Sequence, residues 1–74
     1  MPSLPRNVTQ DQVVRALIRA GGVEVRGLGK GSHRSVRMPN QARPITVPSR
    51  IKTGLLGSII KQAGLTLEQF LEVL

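Results

Sequence analysis

The 74 residues include no cysteine, no tryptophan and no tyrosine, and a single phenylalanine, Phe70. Without cysteine there can be no disulfide and no thiolate metal site, and the composition is compatible with a reducing cytosol. Acidic residues are also scarce. Asp11, Glu24, Glu68 and Glu72 fall on three different predicted elements with no close pairing, so neither a two-carboxylate hydrolase nor a carboxylate-held metal is indicated. No metal or cofactor is expected. The lack of aromatics removes the usual platform on which splayed single-stranded bases stack. No apolar run approaches the roughly 20 residues that cross a bilayer. Residues 1–7 contain Pro2 and Pro5 and lack the continuous apolar stretch of a secretory signal. The expectation is a soluble, cytoplasmic protein with no membrane partner.

What the chain does have is positive charge: eleven Lys and Arg against four Asp and Glu, a formal net charge of +7. Such an imbalance attracts polyanions, and nucleic acid is the first partner to consider. The length suits one core, with residues 1–8 as an N-terminal extension and 9–74 as a single domain. A chain this short buries only about 60% of its unfolded surface. Homo- or hetero-oligomer formation is compatible with so small a core.

Three segments have helical periodicity and three alternate with a period of two. Thr9-Gln10-Asp11-Gln12 reads as a capping box with Val8 and Val13 as its hydrophobic staple. Val13, Val14, Leu17 and Ile18 follow at helical spacing, and Gly21-Gly22 supplies the stop, which predicts a helix over 10–20. Its outward Arg15 and Arg19 are a like-charge pair. Val23 and Val25, then Val36 and Met38, then Ile45 and Val47 alternate with polar residues, which predicts three short strands with one apolar face. Gly27-Leu28-Gly29-Lys30-Gly31 and Pro39-Asn40-Gln41-Ala42 are turn-forming, so an antiparallel meander is the economical topology. A second helix begins near Thr53 and ends at Gly64. A third starts at the capping box Thr66-Leu67-Glu68-Gln69 and sets Phe70 in an apolar stripe. Gly54 and Gly57 weaken the second helix, which suggests close packing there. The result is an α+β fold, with helices on the apolar face of a three-stranded antiparallel sheet and the other face open.

His33 is the only side chain whose ordinary titration range lies near neutrality, which makes it the candidate proton carrier. The alternation that sends Val36 and Met38 inward sends His33, Ser35 and Arg37 to the open face. Lys30, Arg34 and Arg37 would make its surroundings basic. RNA carries its own nucleophile, the 2′-hydroxyl, so one base and several cations could suffice for scission. Phosphate contacts are expected from Lys30, Gly31, Ser32, Arg34 and Arg37, and from Arg50 and Lys52 just before the second helix, where free N–H groups favour an anion. The glycine-rich turn has neither the P-loop nor the dinucleotide spacing and reads as a hairpin turn. Two other readings stay open on these residues: a non-catalytic RNA-binding module, and a partner-dependent interaction domain.

One combination of segments carries a resemblance. Gly31-Ser32-His33 opens the second strand and Ile45-Thr46-Val47-Pro48 closes the third. Thr53-Gly54-Leu55 is followed by Ile59-Ile60-Lys61-Gln62-Ala63-Gly64-Leu65. The chain resembles the HicA family of toxin–antitoxin systems from Val13 to Leu74. That resemblance implies a double-stranded-RNA-binding-domain-like fold, α-β-β-β-α with a short C-terminal helix. It implies a toxin that cleaves mRNA (an mRNA interferase) without a metal, with His33 as the catalytic residue and Gly31 and Ser32 shaping its turn. A HicB-like antitoxin that masks this face is the implied protein partner. Many relatives have a second histidine shortly after the third strand, where this chain has Ser49-Arg50, so the resemblance leaves the general acid unassigned.

Overall fold

The computed structural model describes residues 3–26 and 32–74. Three helices, α1 (Gln10–Arg19), α2 (Thr53–Gln62) and α3 (Leu67–Val73), accompany three strands, β1 (Val23–Val25), β2 (Arg34–Arg37) and β3 (Ile45–Val47). The strands form one antiparallel sheet in the order β1-β2-β3. The expected α+β architecture, with its α-β-β-β-α order and short last helix, is the one observed. The first turn, Gly27 to Gly31, lies outside the described residues.

Local chemistry explains where the helices begin and end. In α1 the Thr9 side chain accepts from the Gln12 backbone N–H while the Gln12 side chain accepts from the Thr9 N–H; Thr66 and Gln69 repeat this at α3. Gly21 and Gly64 take left-handed backbone angles, φ 105° and 74°, just past α1 and α2. The Gly22 N–H then reaches the Leu17 carbonyl and the Leu65 N–H the Ile60 carbonyl, closing both helices by the same six-residue return.

The core gathers Val13, Val14 and Leu17 of α1, Leu56, Ile59 and Ile60 of α2 and Phe70 of α3 over Val36, Ile45 and Val47 of the sheet. Leu4 and Val8, from the segment expected as an extension, pack against its rim. α1 lies against all three strands, α2 against β3 and α3 against α1. A Cβ on Gly57 would meet the Leu4 side chain at 3.5 Å, an ordinary contact, and one on Gly54 would meet nothing within 4 Å, so packing requires neither glycine.

β1 departs from the expected phase. Residues opposite each other in an antiparallel pair point to the same side, and Val23 is opposite Arg37 while Glu24 is opposite Val36. The valines of β1 therefore lie on the open face, Val23 being 62% exposed, and Glu24 lies on the helix side. Two features hold this register. Gly22 passes so close to the core that a Cβ there would come within 2.7 Å of Val36 Cγ1 and 2.8 Å of both the Leu17 carbonyl oxygen and Met38 Sδ. Glu24, two residues on and on the same side, pairs with Arg34. Ser35 is on the open face as expected but is buried, because it is on the central strand between Val25 and Thr46.

Candidate nucleic-acid interface

His33 immediately precedes β2 and is exposed, and Ser32 before it is exposed as well. Ser35 is two positions after His33 and Arg37 four, so strand alternation assigns the three to the open face. Arg37, also exposed, lies at the far end of β2, about 13 Å away at 3.3 Å per residue. Arg37 and Val23 line a cleft of about 460 Å³ with the Pro39–Ala42 turn.

Arg34 is placed otherwise than expected. Its guanidinium donates from Nε and Nη2 to the two carboxylate oxygens of Glu24, at 2.8 and 2.9 Å, and from Nη1 to Asp11 Oδ1 at 3.1 Å. Its alternation with Ser35 puts it on the helix side, where it ties β1 and β2 to the first turn of α1. The hydrogen bonds from Arg34 hold the Glu24 carboxyl below its ordinary value of 4.5, aided by the Arg34 and Arg26 charges and opposed by partial burial. Hydrogen bonds to Glu24 and then Asp11 raise the Arg34 pKa.

A lowered carboxyl pKa contributes stability above the unfolded value that is lost as pH falls through the folded one. The stability difference between wild type and Glu24→Gln is therefore expected at neutral pH and should close as the pH drops below 4.5. Thermal melts across that range check this, and a pH-independent difference would contradict it.

The remaining basic residues divide between structural and unpaired positions. Arg15 pairs with Asp11 at 3.0 Å, and Arg19 donates to the carbonyls of Val73 and Leu74 at 2.8 and 3.2 Å. The two α1 arginines are exposed, as expected of an outward pair, and each has a partner within the chain. Among the described residues the ion pairs involve only Arg15 and Arg34. Arg50 and Lys52 are exposed at the start of α2, whose N-cap, Lys52, provides no side-chain cap. They line an open cleft of about 510 Å³ with Asn7, Thr9 and Ser49. Lys30 and Gly31, expected beside His33, lie outside the described residues. No three metal-ligating side chains come together, and no helix is long and apolar enough to cross a membrane, among the described residues.

One residue at this site was not anticipated. Gln10, the first residue of α1, donates from Nε2 to the Ser32 carbonyl and to the Val47 carbonyl, the latter at 3.0 Å. The end of β3 is thereby held beside the His33 segment, and Arg50 follows only three residues after Val47. In the sequence Gln10 is one polar residue within a capping box; nothing there signals a long-range partner.

A family model described as the HicA toxin of bacterial toxin–antitoxin systems matches residues 11–65. No curated protein and no solved structure gives a significant match to the chain.

Proposed function

The chain belongs to the HicA family of bacterial toxins, and from that premise we propose that it is an endoribonuclease that cuts mRNA with His33 as its base. A toxin of such a system has an antitoxin partner; a HicB-like protein covering the His33 side of the sheet is the form we propose. The observation that carries the reading is the exposure of His33 at the head of the central strand.

In the proposed reaction the His33 imidazole takes the proton of a ribose 2′-hydroxyl. The 2′-oxygen bonds to the adjacent phosphorus as the bond to the 5′-oxygen breaks, and that oxygen takes a proton from solvent. The products are a 2′,3′-cyclic phosphate and a 5′-hydroxyl. Charge on the phosphoryl oxygens is met by the cations Lys30 and Arg50, by the Ser32 hydroxyl and by the backbone N–H of Gly31. Arg37 and Lys52 bind phosphates further along the strand, largely by charge and so in a salt-dependent manner. Arg34, already held by two carboxylates, shapes the site and leaves RNA binding to the others.

No step in this scheme uses a metal ion. Incubation of the purified chain with mRNA in excess chelator is expected to give cleavage with cyclic-phosphate ends. Strict dependence on a divalent cation, or 3′-hydroxyl and 5′-phosphate ends, would contradict the scheme.

A further inference from the structure

We infer that Gln10 is a positioning residue for His33, a role that rests on the proposed catalytic function of that histidine. Gln10 has no part in capping its own helix, since Thr9 and Gln12 do that between them. Its amide nitrogen instead donates to two main-chain carbonyls from separate segments, Ser32 in the turn before β2 and Val47 at the end of β3. Carbonyl oxygens only accept, so the carboxamide must face them with its NH₂, and each of its two hydrogens has one acceptor.

The Ser32 carbonyl belongs to the planar peptide that joins Ser32 to His33, so this bond acts directly on the plane from which the His33 Cα extends. Its location matters. β2 begins at Arg34 and β3 ends at Val47, and Arg34 and Val47 are the last paired residues of that ladder. His33 is one residue beyond it. Where strand pairing stops, Gln10 takes over as the tie between the two strands and α1.

His33 is exposed and its side chain has no hydrogen bond among the described residues, so what the fold sets is the Cα–Cβ direction from which the ring extends. Proton transfer requires the base within about 2.6–3.2 Å of the hydroxyl it deprotonates. A displacement of about 1 Å can cost a hundredfold in rate.

The test compares Gln10→Met, which keeps the length and loses both donors, with Gln10→Lys, which keeps donors on a flexible stem one bond longer. Gln10→Glu, whose carboxylate is repelled by both carbonyls at neutral pH, is a second variant without donors. Steady-state RNA cleavage by the full chain is expected to show kcat lower by about 10- to 100-fold for Met and Glu. KM should change little in both, and Lys should restore most of the rate. The His33 ring Cε1–Hε1 resonance should be sharp in wild type and Gln10→Lys and shifted or broadened in the other two. Wild-type kcat and an unchanged ring signal in Gln10→Met and Gln10→Glu would overturn the assignment. If His33→Ala cuts RNA as fast as wild type, the proposed function fails instead. The ring resonance then decides by itself whether Gln10 orders His33.

Discussion

Phe70→Ala is expected to leave much of the protein unfolded at 25 °C. Phe70 is the only aromatic residue of the chain and is fully buried. It enters the core from α3, which packs against α1, and α1 in turn lies across the sheet. Truncating a buried phenylalanine to alanine costs about 3–5 kcal/mol, the lost transfer energy plus the cavity left behind. A single core in a chain of this size, with no disulfide to constrain the unfolded state, supplies little more than about 3–5 kcal/mol in total. The two figures are comparable, so the substitution removes most of the margin. Phe70→Leu, which keeps most of the volume, should cost about 1.5 kcal/mol or less. Urea titrations followed by circular dichroism separate these outcomes. A loss below about 1 kcal/mol for Phe70→Ala would mean that α3 is dispensable to the core.

Much of the fold could be read from short-range signals, because those signals are local chemistry. The two capping boxes at Thr9 and Thr66 and the stops at Gly21 and Gly64 act within a few residues, and each is found where its spacing predicted. The apolar alternation of β2 and β3 was equally readable, since Val36, Met38, Ile45 and Val47 all face the core. β1 misled because its phase is set by partners distant in sequence. Val23 and Val25 resemble an inward pair, yet the close approach of Gly22 to Val36 and the pairing of Glu24 with Arg34 turn them outward.

The site was readable in the same uneven way. Exposure of His33 followed from strand alternation and the position of the turn before it. The division of the basic residues did not. A count of charges cannot tell Arg34, held by Glu24 and Asp11 from elsewhere in the chain, from Arg37 on the other side of the same strand. Gln10 was missed for a related reason: its two acceptors are 22 and 37 residues away, and main-chain carbonyls have no sequence signature. Family membership, resting on a match over residues 11–65, identifies the toxin but assigns no role to any surface group.

Whether the His33 imidazole removes the ribose 2′ proton, as proposed, is tested most directly by His33→Ala. General acid–base assistance contributes about 10²- to 10⁴-fold to such reactions, so the cleavage rate should fall by that factor. Because the side chain is exposed, thermal stability should hardly change. RNA affinity, which we propose Arg37, Arg50, Lys52 and Lys30 supply, should stay within about twofold of wild type, since phosphate neutralisation dominates such binding. The decisive measurement is the single-turnover cleavage rate of folded His33→Ala on mRNA beside that of wild type. Loss of cutting with RNA binding retained is the predicted result; cutting at the wild-type rate would contradict it.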